Sequence, residues 1–246
     1  MKVVITGAAD GIGKALAALY TTNGHTVIGV DFDEAQAQKT QSQLGERLSF
    51  VIADLSQHAQ LDNTADQLGT GIDVLIHNAG ISAVGYFANT DIDKQNRVID
   101  VNLLAPMLLT RYLLARNALT ADGSIAFLSS LSHYVSYPGA SVYGATKSGI
   151  ASYARTLSIA YPQRHVLTVY PGPTRTAHAR RYSPDNTRES KRMSPEILAS
   201  HIVSAINKRQ RVLIPGAGNM VFAIAGRLVP RLTNLAMRKT LLEKFD

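Results

Sequence analysis

Short apolar runs alternate with longer amphipathic or polar stretches along most of this chain. Lys2-Val-Val-Ile-Thr6 is β-branched and continuous, which is the pattern of a parallel strand buried on both faces. Residues 14–20, KALAALY, favour a helix. The same reading predicts strands at 26–30, 48–53, 72–77, 124–128, 166–170 and 211–214. Between them it predicts a polar helix at 56–70, a long helix at 92–118 in which Pro106 makes a bend or a local irregularity, and a helix through Tyr143 that ends before Pro162. Ser194-Pro195-Glu196 opens a further helix to Ile206, with proline at the first helical position. Regular strand–helix alternation makes the fold class α/β: a doubly wound, seven-stranded parallel sheet with helices on both faces. No internal repeat or linker divides residues 1–246, so one domain is expected.

Two segments break the pattern. Residues 177–194, AHARRYSPDNTRESKRMS, are polar, basic and turn-rich, and a loop of that length in a compact domain reads as a substrate lid. The extension 217–246 is amphipathic: Val221, Phe222, Ile224, Leu228, Leu232, Leu235, Leu241, Leu242 and Phe245 are interleaved with Arg231, Arg238, Lys239 and Lys244. A pair of helices packed on the domain or on a neighbouring subunit is the first expectation. A cover over a lipophilic substrate, or peripheral contact with a membrane surface, is the second.

Composition narrows the classes. The chain is 46% hydrophobic and 17% charged, as a globular protein with a sizeable core requires. It has no cysteine, which excludes disulfides, thiol catalysis and cysteine-ligated zinc, and no metal site is expected. Strand-like residues begin at Val3, which leaves no room for a signal peptide, and a cytoplasmic protein is expected. The net charge of +7 is uneven: residues 1–174 carry 11 Lys and Arg against 13 Asp and Glu, and residues 175–246 carry 14 against 5. The basic third suits a solvated surface, an anionic substrate or an acidic partner; no nucleic-acid motif accompanies it.

Candidate chemistry sits where strands end. Gly7-Ala-Ala-Asp10-Gly11-Ile12-Gly13 joins a strand to a helix, so glycine backbone and a helix N-terminus form a cradle for a pyrophosphate. Asp31 ends the second strand eighteen residues beyond Gly13, where a carboxylate can hold an adenosine ribose. A 2′-phosphate there would meet Asp31, Asp33 and Glu34, so NAD(H) is favoured over NADP(H). Asp54, after the third strand, can accept from an adenine amino group, and Asn78-Ala79-Gly80 closes the fourth with a small-residue turn. Tyr143 and Lys147 are four apart on one helix face. A nearby ammonium lowers a phenol's pKa from about 10, which fits Tyr143 for proton transfer at an alcohol or carbonyl oxygen. Ser130, at the end of the fifth strand, can hydrogen-bond the same oxygen.

In register, these motifs resemble the short-chain dehydrogenase/reductase family over residues 1 to about 215. Thr6 to Gly13 is similar to its cofactor loop, His77-Asn78-Ala79-Gly80 to its Asn-Asn-Ala-Gly turn, and Asp54-Leu55 to its adenine contact. The resemblance implies a Rossmann-type sheet and a catalytic tetrad of Asn102, Ser130, Tyr143 and Lys147. In it Tyr143 is the acid/base, Lys147 tunes it and bonds the nicotinamide ribose, Ser130 orients the substrate oxygen, and Asn102 holds a relay water. Pro171 and Gly172 would flank the nicotinamide, with Thr174 and Thr176 beyond. His77 and Thr174 depart from the family's usual residues. Also implied are hydride transfer on a secondary alcohol or ketone, which the apolar loop 81–87 suggests is lipophilic, and a homodimer or homotetramer built through the helices near 95–118 and 142–161. A 3-oxoacyl-type reductase using NADP(H) is the alternative. A catalytically silent nucleotide-binding regulator is another, and the intact tetrad counts against it.

Overall fold

The structure is a computed structural model, and its described residues are 1–241 and 243. Leu242, Lys244 and Phe245 of the tail pattern lie outside them. The first half builds one side of the sheet up to its central strand: β1 (Lys2–Thr6), α1 (Gly11–Thr22), β2 (Thr26–Asp31), α2 (Glu34–Leu44), β3 (Leu48–Ile52), α3 (Leu61–Leu68) and β4 (Ile72–His77). Then α4 (Ile92–Ile99), a π-helical turn (Asp100–Leu104) and α5 (Ala105–Ala115) lead to β5 (Leu119–Leu128). The short α6 (Ser132–Val135) and the long α7 (Ser141–Ala160) precede β6 (His165–Val169). After it come α8 (Ala177–Tyr182), α9 (Pro195–Asn207), β7 (Val212–Leu213), α10 (Ala217–Leu228) and α11 (Pro230–Thr240).

All strand pairs are parallel, in the order β3-β2-β1-β4-β5-β6-β7. The seven-stranded sheet is therefore as expected. Alternation along each strand splits the core into two layers. Val4, Leu75 and Phe127 face α5 and α7, where Leu109, Leu113 and Ile150 meet them. Val3, Ile5 and Ile76 face α1 and α9, against Leu16, Leu198 and Ile202. The strand order reverses between β1 and β4, which opens a crevice at their carboxyl ends.

Two elements differ from the sequence reading. The single helix at 92–118 is three pieces: Pro106 has no N–H to return to the carbonyl of Asn102, and the irregularity expected there takes the form of a π turn. Residues Ile92–Ala115 are long and apolar enough to cross a bilayer by composition, but Leu109 and Leu113 are buried against the sheet, so this is a core helix. The 177–194 stretch is not a plain loop: Thr176 caps α8 by accepting the Ala179 N–H at 3.0 Å, and a 3-10 turn follows at Glu189–Lys191. The tail forms the expected helix pair, seated on α6 with Ala223 buried against Leu131 and Val135.

Candidate active site

The crevice between β1 and β4 is a cleft of about 1140 Å³. Gly7, Asp10, Gly11 and Ile12 form its floor, and Asp31, Asp54 and Leu55 line one end. Gly7 and Gly11 have φ of +66° and +54°, which exposes the backbone to the cleft without side-chain strain. Gly13 does something else. A Cβ there would stand 2.7 Å from Asn78 Nδ2 and closer still to the Gly7 carbonyl, so Gly13 lets α1 dock on its own loop. Asn78 locks that loop: its Nδ2 donates to the carbonyls of Thr6 (2.9 Å) and Gly7 (3.0 Å).

The two acids are already engaged. Asp31 accepts the Ala9 N–H at 3.0 Å and the Phe32 N–H at 2.9 Å. Burial pushes its pKa up, and these backbone bonds oppose the rise. Asp54 accepts from the Ser56 hydroxyl at 2.8 Å and pairs with Arg97 at 3.0 Å.

At the other end, β5 delivers Ser130 and α7 delivers Tyr143 and Lys147. Tyr143 and Ser130 are hydrogen-bonded. The Ser130 oxygen also accepts the Ser132 N–H at 3.1 Å, which fixes it. Lys147 Nζ lies 5.7 Å from the Tyr143 ring centroid but donates to the Leu128 carbonyl at 2.8 Å. Burial pulls its pKa down to about 8. Burial also pushes the Tyr143 phenol up to about 12, and the Ser130 bond only partly offsets this. The expected lowering of the phenol by Lys147 is not seen in this state: desolvation sets the direction, and Ser130 alone opposes it. Near neutral pH the phenol keeps its proton, poised to donate it to a carbonyl oxygen.

Asn102 is buried in the π turn and does not reach the cleft. Its Oδ1 accepts the Ile81 N–H (2.8 Å), and its Nδ2 donates to the Ile81 carbonyl (2.9 Å) and to Thr146 Oγ1 (3.2 Å). It pins the cleft wall beyond Gly80. A Cβ on Gly80 would stand 3.2 Å from Lys147 Nζ and 3.3 Å from Asn102 Oδ1, so glycine leaves room where these two polar atoms converge. Ala79, Gly80, Pro171 and Thr176 line the cleft. Gly172 and Thr174 are not among its lining residues. Thr174 is buried and donates to the Gly172 carbonyl at 3.1 Å, and Gly172 packs on Asn219. His77 is buried on Phe127 and bonded to Thr110, with burial holding its pKa down at about 3. It is a neutral strand-end residue.

The sequence reading missed the lid's side chains. His178, Arg181 and Tyr182 line the cleft from α8. The His178 ring is 6.4 Å from Tyr143 and 4.8 Å from Tyr182, and Tyr137 meets Tyr143 edge-on at 6.3 Å. Burial, then the charges of Lys147 and Arg181, bring His178 down to about 4. The i, i+4 pairing of His178 and Tyr182 was the available signal, masked by the charge around it.

A family model described as short chain dehydrogenase matches residues 1–187. The chain belongs to the short chain dehydrogenases. Oxidoreductase UcpA of Escherichia coli (strain K12) is 29% identical over 216 residues, covering 84% of this chain and 80% of UcpA. A short-chain dehydrogenase from Sphingobium yanoikuyae in complex with NADPH superposes with a TM-score of 0.79 at 26% identity, covering 96% of this chain and 94% of that one. A 3-ketoacyl-(acyl-carrier-protein) reductase from Brucella melitensis complexed with NADH shares the fold, with a TM-score of 0.78 at 23% identity over 89% of this chain and 97% of that one. This short chain dehydrogenase is a dehydrogenase/reductase enzyme, and the two solved structures each hold a nicotinamide cofactor. The cradle suits one: left-handed glycines open the floor, and Asp31 stands at the end of β2.

Proposed function

We propose that this short chain dehydrogenase transfers hydride between NAD(H) and a secondary alcohol or ketone of lipophilic character. The observation that carries the reading is Tyr143 in the cleft wall, hydrogen-bonded to Ser130, which is not itself a lining residue, and set beside Lys147. A bound nicotinamide supplies or accepts the hydride. Tyr143 gives its proton to the carbonyl oxygen in reduction and takes one in oxidation. Ser130 positions that oxygen, and Lys147, once turned from Leu128, steadies the phenolate. Asn102 holds the Ile81 wall and neighbours Lys147.

Preference for NAD(H) is supported by Asp31 and Asp33 at the end of β2. Arg97, which also lines the cleft, is committed to Asp54. Lipophilic substrates are supported by Ile81, Ala83 and Val84 in the wall. Arg181 on the lid favours a second reading, an acidic 3-oxoacyl-type substrate reduced with NADP(H), against which Asp31 counts. Homo-oligomers form commonly among short chain dehydrogenases, and the exposed Ile159 and Tyr161 at the end of α7 suit a dimer or tetramer through that helix.

The test is a fluorescence screen of alcohols and ketones of graded chain length with both cofactors, repeated with Tyr143→Phe. Turnover should fall by about 10²–10⁴-fold in the variant while NADH still binds. Undiminished turnover would remove Tyr143 from its role.

A further inference from the structure

Helices α10 and α11 each have an inner and an outer face. The inner face is packed: Gly226 sits against the Tyr134 carbonyl, and Ala223 and Thr233 are buried. The outer face of α10 carries Val221, Ile224 and Leu228, three and four residues apart, so they form one stripe. They are 67%, 51% and 74% exposed. On α11, Leu232 and Leu235 continue the apolar surface at 67% and 53% exposure. Arg227, Arg231, Arg238 and Lys239 flank these stripes and are exposed; Arg238 has a 3.8 Å contact with Glu243. Residues 217–241 contain no Asp or Glu.

A contiguous apolar stripe in water marks an interaction surface. Its flanking charge decides the occupant. A second copy of the same face would set two basic clusters against each other, because a two-fold interface pairs a surface with itself. Anionic lipid headgroups complement the arginines while the acyl boundary takes the valine, isoleucine and leucines. We propose that the α10–α11 face seats this protein on the surface of an anionic lipid bilayer. The seat adjoins the cleft: Asn219, in the first turn of α10, packs on Gly172, next to Pro171 in the cleft wall.

The test is co-sedimentation of the full-length protein with vesicles of phosphatidylcholine, alone or mixed with phosphatidylglycerol. The wild type should pellet with the mixed vesicles only, and added salt should release it. Leu228→Ser with Leu232→Ser should weaken partitioning about tenfold or more. Arg227→Gln with Arg231→Gln should weaken it about fivefold per charge. Thermal melts of both variants should match the wild type, since all four side chains are exposed. If the leucine variant melts early, the arginine variant and the salt titration carry the test alone. Three results overturn the proposal: wild type left in the supernatant with mixed vesicles, a well-folded leucine variant that pellets as well as wild type, or a stripe whose only effect is on oligomer size in gel filtration.

Discussion

The ammonium of Lys147 lies 5.7 Å from the ring centroid of Tyr143, yet its hydrogen bond goes to the Leu128 carbonyl at 2.8 Å. Lys147 is buried and Tyr143 is half-buried in the cleft wall, and desolvation dominates both: it lowers the amine to about 8 and raises the phenol to about 12. The sign of the stability effect follows. Between pH 8 and 10.5 the unfolded chain holds the Lys147 proton and the folded chain releases it, so stability rises with pH in that window. Tyr143 acts in the opposite sense between 10 and 12, where only the unfolded chain ionises. Urea titrations of wild type and Lys147→Met at pH 7.5 and 10 should therefore differ by an amount that grows in favour of wild type, on the order of 3 kcal/mol at most. A difference that stays constant with pH would mean that Lys147 is not desolvated.

Ser130 holds the phenol and is itself fixed by the Ser132 N–H. Its bond to Tyr143 is the interaction that lowers the phenol's pKa. Ser130→Ala should raise that pKa further and cut kcat/KM by about 10²–10³-fold, leaving the NADH Kd within a small factor. The rising, low-pH limb of the pH–rate profile for alcohol oxidation, where Tyr143 must lose its proton to act as base, should move upward. A profile displaced to lower pH would contradict the bond's assigned direction.

Asp31→Asn keeps an oxygen for the Ala9 N–H and removes the charge. Burial already raises the Asp31 pKa, so loss of the charge costs little; the amide cannot accept from both Ala9 and Phe32, and a small loss of stability is expected. The native enzyme should favour NAD(H) by about tenfold or more in kcat/KM, and the variant should bring the two cofactors close together, a gain of about 1.4 kcal/mol for NADP(H). A native preference for NADP(H) would sink the repulsion argument.

Two glycines should respond oppositely to alanine. At Gly13 the new methyl runs into the Gly7 carbonyl and Asn78, so the cradle must open; a loss of about 1–3 kcal/mol and weaker cofactor binding are expected. At Gly144, within α7, a Cβ meets nothing within 4 Å, and the variant should gain about 0.5–1 kcal/mol from helix propensity. Paired thermal melts decide both.

Local pattern determined a good deal here. All seven strands were marked by short apolar runs, the edge strands β3 and β7 included, and Gly7 and Asp31 fall at strand ends and Gly11 at the start of α1 by spacing alone. The i, i+4 step from Tyr143 to Lys147 put both on one helix face, and Ser194-Pro195 marked the start of α9. These features depend on neighbours in sequence, so one dimension was enough.

Other features depend on atoms far along the chain. That the amine turns to Leu128, that Asn102 clamps Ile81 from a π turn, that Asp54 is taken by Arg97, and that His178 sits between Tyr143 and Tyr182 were settled by packing. Desolvation then decided the charge states, because a pKa in a buried wall answers to everything that excludes water from it. The sequence named the groups; only the folded chain decided which way they point and how strongly they hold their protons.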